Sequence, residues 1–197
     1  MYSRNEEILA EFSQGSFIIV LDEHREEEGD FFLLAETVTP EKINFLLKNA
    51  RGMICIACNG IILDKLEIPL MVKKNGDKFG TNFCVGIDAN KEITTGVSAF
   101  DRAKTIQILA NPNSKPGDLV QPGHTFPLRA RDPKVRFGHT EAAVEMAKKA
   151  DKIPAVVICE ILNDEGHKAD QEELFVIAKK FGIPITTLEQ LKKFLLK

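Results

Sequence analysis

Short, continuously apolar runs alternate with segments whose apolar positions recur at helical period. Ser3 and Glu6 have the spacing of a capping box, and Ile8, Leu9 and Phe12 follow at that period before Gly15, predicting a first helix. Residues 16–21 form a β-branched apolar run that reads as a buried strand, and 31–35 form a second. Thr39-Pro40 opens a helix with an apolar face of Ile43, Leu46, Leu47 and Ala50, ended by Gly52. Residues 53–58 predict another strand. Asn75-Gly76 is a turn signal leading into a strand over 82–87. Ser98 caps a helix over about 99–110. The Pro-, Gly- and Asn-rich stretch 111–123 excludes regular helix and central strand, and the whole of 111–139 reads as a long, working loop. Thr140 starts a helix with acid at its beginning and base at its end. Then come a strand over 154–160, a capping box at Asp170 and Glu173, a stop at Gly182, a short strand over 183–187, and a last helix capped by Thr187 and Gln190. Strands and helices mixed without strict alternation predict an α+β fold, one domain over residues 1–197, with a mixed sheet covered by helices.

Composition narrows the function classes. The 197 residues are 44% hydrophobic with a formal net charge of −3. That balance excludes a disordered chain and gives no field to gather a polyanion, so no nucleic-acid partner is expected. The N-terminus lacks the basic-then-apolar pattern of a signal peptide. No apolar run approaches the ~18 residues of a membrane span. Cysteines at 55, 58, 84 and 159 do not make a disulfide scaffold, which predicts a reduced, cytoplasmic protein with no membrane association.

Several segments carry candidate chemistry. Asp22, Glu23, Glu26, Glu27, Glu28 and Asp30 crowd one turn directly after a buried strand. They repel one another unless water, Arg25 or a cation neutralises them. Glu26, Glu28 and Asp30 alternate at period two and can share one side, as oxygen ligands for a hard cation such as Mg²⁺, or form a solvated acidic turn. In the segment 136–140, Arg136, Gly138 and Thr140 flank a helix start, which suits either a phosphate seat or an ordinary N-cap. His139 fits a metal ligand, a proton carrier or a packed imidazole. His124 sits in the long loop, where a histidine is functional or merely exposed. Glu160 ends an apolar strand, either as a carboxyl suited to proton transfer or as one facing water. Cys55 and Cys58 have redox-pair spacing, but a strand would point them to opposite faces.

Taken together, the motifs resemble the 3,4-dihydroxy-2-butanone-4-phosphate synthase family over almost the whole chain. Residues 25–30 are similar to its R-E-N-E-G-D loop, with Glu27 for the usual Asn. Residues 94–102 resemble T-T-G-(V/I)-S-A-x-D-R, residues 122–129 resemble P-G-H-x-x-P-L-R, and residues 136–141 resemble R-x-G-H-T-E with Phe137 where Gly is common. Cys159-Glu160 matches a late C-E pair. The resemblance implies a lyase of riboflavin biosynthesis that converts ribulose 5-phosphate to 3,4-dihydroxy-2-butanone 4-phosphate and formate, through a metal-stabilised enediol and a skeletal rearrangement. It implies that Glu26 and His139 hold two Mg²⁺ or Mn²⁺ ions per active site. Arg136, Gly138, His139 and Thr140 would bind the phosphate end, with Arg25, Asp30 and Glu160 contacting substrate, and His124 and Glu160 serving catalysis. Glu28, Cys55, Thr95, Ser98, Asp101 and Arg102 would line the same pocket. It further implies a homodimer with active sites at the subunit boundary and, since the chain ends at Lys197, a monofunctional protein.

Overall fold

The computed structural model describes residues 2–196, so Met1 and Lys197 lie outside the described residues. Among the described residues seven α-helices and seven strands alternate irregularly: α1 (Asn5–Ser13), β1 (Ile18–Asp22), β2 (Glu28–Leu34), α2 (Pro40–Asn49), β3 (Cys55–Cys58), α3 (Gly60–Lys65), β4 (Ile87–Ala89), α4 (Ala99–Ala110), β5 (Leu119–Arg129), α5 (His139–Lys149), β6 (Ala155–Glu160), α6 (Gln171–Phe181), β7 (Ile185–Thr187) and α7 (Leu188–Leu195). The strands form one mixed sheet in the order β4-β5-β3-β6-β2-β1-β7. The β1–β7 and β3–β5 pairs are parallel, and the others are antiparallel. The α+β class expected from the pattern is the class observed.

Alternation along the central strands builds two cores, one on each face. Phe31, Leu33, Ile56, Val157 and Cys159 point to the face covered by α2, α4 and α6. Phe32, Leu34, Cys55, Val156 and Ile158 point to the other, where Ile8 and Phe12 of α1, Met146 of α5 and Leu191 of α7 close over them. The stretches 31–34 of β2, 55–58 of β3 and 155–159 of β6 are buried on both faces and apolar throughout, which made them legible as strands; the acidic start of β2, Glu28 to Asp30, carried no such signal. Among the described residues no helix is long and apolar enough to cross a membrane.

Four expectations are corrected. Ser3 does not cap α1; Arg4 stands at the N-cap position, and the Ser3 N–H donates to the Ile185 carbonyl (2.9 Å), so pairing with the first residue of β7 replaces the cap. Residues 82–87 supply only isolated bridges at Phe83 and Cys84, and the regular strand begins at Ile87. The long loop 111–139 contains the eleven-residue β5. Pro122 and Gly123 are tolerated there because the ladder skips them. Ile87 pairs with Thr125 and Asp88 with Val120, while β3 pairs only from Phe126 onward, so residues 121–124 owe no ladder hydrogen bond. The helix expected from Thr140 begins at His139, with Gly138 at the N-cap and the Glu141 carboxylate accepting the Gly138 N–H (3.1 Å).

The β1–β2 hairpin holds one strained residue. Glu27 has φ +52°, in the left-handed region that Asn tolerates better than Glu. Glu27→Asn should therefore raise the unfolding free energy by about 0.5–1 kcal/mol, read as an upward shift of the urea midpoint. A lower midpoint would show that this backbone is not strained.

Candidate active site

Backbone hydrogen bonds organise the β1–β2 hairpin. Asp22, buried at the end of β1, accepts the backbone N–H groups of His24, Arg25 and Glu26, each at 3.1 Å. Those bonds turn the chain so that Glu26 points inward, while Glu28 and Asp30 follow on β2 with side chains on one face. Asp30 lies opposite Glu160 of β6 in the antiparallel ladder. On the same face, α5 starts above these acids and brings His139 into contact with Glu26, Nδ1 to Oε2 at 3.3 Å. The other ring nitrogen, Nε2, donates to the Val20 carbonyl at 3.1 Å, which leaves Nδ1 as the face turned to the acids. Glu26, Glu28 and His139 place ligand atoms within 4.8 Å of one another.

These groups line a cavity of about 150 Å³, together with Asp30, Cys55, Phe79, Thr81, Phe83, Leu128, Arg136, Thr140, Ile158 and Glu160. Arg136 is fixed from several sides. It donates to Glu141 through Nη1, to the Phe79 carbonyl through Nε (3.1 Å) and to Thr81 Oγ1 through Nη2 (3.1 Å), and Glu26 Oε1 lies 3.7 Å away. Arg25 donates to the same Phe79 carbonyl at 2.7 Å, its guanidinium 5.5 Å from the Phe79 ring centroid. Two guanidiniums therefore converge on one acceptor. Phe137 keeps a negative φ and packs toward the core under α5, with the Lys192 ammonium 6.0 Å from its ring, so its bulk stays out of the cavity.

The electrostatics show an excess of negative charge held by protons. Burial raises the Glu28 carboxyl to about 7, with Glu26 and Glu160 adding and His139 opposing. Burial also carries Asp30 well above the carboxylate range, and its Oδ1 is buried with no hydrogen-bond partner. Burial would lower His139, but the charge of Asp30 and the hydrogen bond the ring donates to Glu26 outweigh it and push the imidazole up to about 9. Burial also opposes ionisation of Glu26, yet the His139 bond and charge, then Arg136 and Arg25, hold it below its usual range. Cys55 is a buried thiol pushed up by desolvation and the nearby Glu160 charge, so it is an inert wall. Oxygen donors, one imidazole, an unpartnered buried carboxylate oxygen and surplus acid are a donor set that fits a divalent cation.

The remaining expected residues lie elsewhere in the chain. His124, on β5, is not part of this cavity; its Nδ1 meets Asp88 Oδ2 at 2.7 Å and its ring is half exposed. Ser98 caps α4 by accepting the Asp101 N–H (3.1 Å), and Asp101 holds the preceding loop by accepting Thr94 N–H, Thr94 O–H and Gly96 N–H at 2.9, 2.7 and 3.1 Å. Thr95 and Arg102 also lie outside the cavity of the single chain, and Arg102 Nε is buried without a partner. No local pattern in the sequence marks Phe79, Thr81 or Asp88 as site residues, and Glu141 stands out there only as the acid at a helix start. A charged residue set between Ile87 and Ala89 was the one available signal for Asp88.

The family model described as 3,4-dihydroxy-2-butanone 4-phosphate synthase matches residues 6–194. A protein of that name from Neisseria meningitidis is 49% identical over 191 residues, covering 95% of this chain and 53% of the relative. The chain thus spans about half the length of several curated relatives. The solved structure of the Candida albicans 3,4-dihydroxy-2-butanone 4-phosphate synthase superposes with a TM-score of 0.92 at 40% identity, covering all of both chains. A structure described as that enzyme in complex with two magnesium ions superposes at 0.90 with 36% identity over 96% of this chain and 95% of the other.

The proton load on the cavity fixes a pH dependence. His139 titrates near 9 in the folded chain against an ordinary 6.5, and Glu28 near 7 against 4.5. The folded state therefore binds more protons than the unfolded state across that span, and stability without divalent ions should fall as pH rises from about 5 to 9. Urea titrations in EDTA at pH 6 and pH 9 should show the lower midpoint at pH 9, with the difference reduced in His139→Asn. An unchanged difference in that variant would mean the imidazole does not carry the proton.

Proposed function

The chain belongs to the 3,4-dihydroxy-2-butanone 4-phosphate synthase family, and on that premise we propose that it converts ribulose 5-phosphate to 3,4-dihydroxy-2-butanone 4-phosphate and formate for riboflavin biosynthesis. The observation that carries the reading is the meeting of Glu26 with His139 beside Arg136 in one acid-lined cavity, with Arg25 held against its Phe79 wall. Glu26 and His139 would hold the divalent ions, two Mg²⁺ or Mn²⁺, with Glu28 beside them. The bound cation would draw electron density from the oxygens of the sugar and favour loss of a carbon-bound proton. His139 suits that role because its far nitrogen is already tied to a carbonyl, the arrangement that orients a ligating imidazole.

Substrate contacts follow from the donors at hand. Arg25 and Arg136 both donate to the Phe79 carbonyl oxygen, which brings two guanidiniums together, and Gly138, His139 and Thr140 stand at the N-terminal end of α5; this concentration of positive charge and N–H donors would hold the phosphate end. An anchored phosphate would fix the reacting carbons while one proton leaves C3, the C1 hydroxyl departs, the skeleton rearranges and C4 is released as formate. Asp30 and Glu160 face each other across the ladder at the cavity floor, and Glu160 Oε2 accepts the Met53 N–H at 2.8 Å, so its orientation toward substrate is set. His124 and Glu160 would move protons.

Within one chain His124 stands apart from the cavity, and apolar side chains at the β4–β5 side of the sheet are exposed, among them Met71, Val72, Val97 and Phe100. These features support a homodimer in which His124, with Thr95, Ser98, Asp101 and Arg102 behind it, completes the partner's site.

Purified chain with ribulose 5-phosphate and Mg²⁺ should release formate and the four-carbon phosphate, with EDTA abolishing turnover and Glu26→Gln lowering it at least ~100-fold. Binding of the sugar phosphate without formate under any divalent ion would refute the lyase reading. Mixing inactive Glu26→Gln with inactive His124→Gln should restore about a quarter of native turnover, because half of the dimers would carry one intact site of two. No recovery after subunit exchange would place all the machinery within one chain.

A further inference from the structure

Asp88 carries a buried carboxylate that the site as described leaves without a task. It lies on β4 at 5% exposure, and both of its oxygens go to one residue. Oδ1 accepts the backbone N–H of His124 at 3.0 Å, and Oδ2 meets Nδ1 of the His124 ring at 2.7 Å. Among the described residues no lysine or arginine forms an ion pair with it. A buried carboxylate is costly unless it is used, so a two-point grip on a single histidine is a specific arrangement.

The surrounding backbone is shaped to allow that grip. The register between β4 and β5 shifts between Ile87 and Asp88, which loops residues 121–124 out of the ladder and swings His124 back over Asp88. Gly96, at φ +97°, passes so close that any side chain there would overlap both the Asp88 carboxylate and the His124 ring. Asp101 ties down the loop bearing Gly96 through three hydrogen bonds. The backbone contact fixes the carboxylate relative to the chain, and the ring contact fixes the torsion of the imidazole.

A carboxylate can only accept, so Nδ1 must be the protonated nitrogen and Nε2 is left free on the half-exposed side of the ring. The geometry points to Asp88 as the positioning residue for His124: it sets the tautomer and aims Nε2 outward as a proton acceptor for the reacting sugar. This rests on the reading of His124 as catalytic. Once Nε2 has taken a proton, the Asp88 charge lies against the cationic ring, the role a buried aspartate plays behind the histidine of serine proteases. It also gives the loop over residues 94–101 a purpose, since that loop walls off the carboxylate and does not line the cavity.

The test uses Asp88→Asn, His124→Gln and their combination in the full chain with Mg²⁺. In Asp88→Asn the amide oxygen still accepts the His124 backbone N–H, but the amide nitrogen then faces Nδ1, which must become an acceptor. Long-range ¹H–¹⁵N spectra should show His124 protonated on Nδ1 in the native chain and on Nε2 in the variant. Turnover should fall by about 10²–10⁴-fold in kcat with KM changed less than ~3-fold. Adding Asp88→Asn to His124→Gln should cost nothing further, because the aspartate acts only through the ring. An Nε2-protonated His124 in the native chain, or losses that multiply in the double variant, would overturn the inference. Full activity in His124→Gln would instead remove the catalytic reading beneath it, and the spectra report the tautomer whether or not that happens.

Discussion

Mutual repulsion among buried carboxylates is the constraint around which this structure is arranged. Glu26, Glu28, Asp30 and Glu160 surround one small cavity, and only His139 and Arg136 enter it with opposite charge, the latter already shared with Glu141. Such a cluster is stable only with a compensating cation, and without a divalent ion the compensation comes from protons on His139 and the carboxyls. The sheet makes the crowding possible. Strand alternation turns the acids of β2 and β6 onto one face, and α5 sets its first turn above them.

Glu141 shows how closely the positive side of the site is built. Buried in the first turn of α5, it accepts the Gly138 and Arg131 N–H groups and the Arg136 guanidinium. One carboxylate thus caps the helix, anchors the loop before it and orients an arginine. Helix formation and site assembly are the same event at this corner. The hairpin has a matching device in Asp22, whose three backbone hydrogen bonds shape the turn that carries Arg25 and Glu26.

Much of this was legible in the sequence, for physical reasons that differ by element. The apolar parts of the inner strands read correctly because burial on both faces demands unbroken apolar runs, although β2 starts three residues earlier, within the acidic segment; α4, α6 and α7 read correctly because their capping residues stand where the backbone needs them. The acidic turn and the R-F-G-H-T segment were picked out as separate candidates, and the fold brings them together. Other features were hidden. β5 was masked by Pro122 and Gly123, whose tolerance depends on a register shift in its neighbour that no local pattern encodes. Asp88 and Phe79 were missed because their importance lies in contacts 36 and 54 or more residues away in sequence. Ser98 and Asp101 lay within a recognised motif, yet their polar atoms serve the loop that bears Gly96.

The strand order has a consequence for how the cavity breathes. Its floor, Asp30, Cys55, Ile158 and Glu160, lies on β2, β3 and β6, each hydrogen-bonded on both sides in the interior of the sheet. Its rim, Glu26, Phe79 and Thr81, lies on a hairpin turn and an irregular segment. Amides of the floor can exchange with solvent only when the whole chain unfolds, whereas those of the rim can exchange through small local openings. Passage into and out of this cavity is therefore a matter of loosening its roof, at a small fraction of the free energy that keeps its base intact.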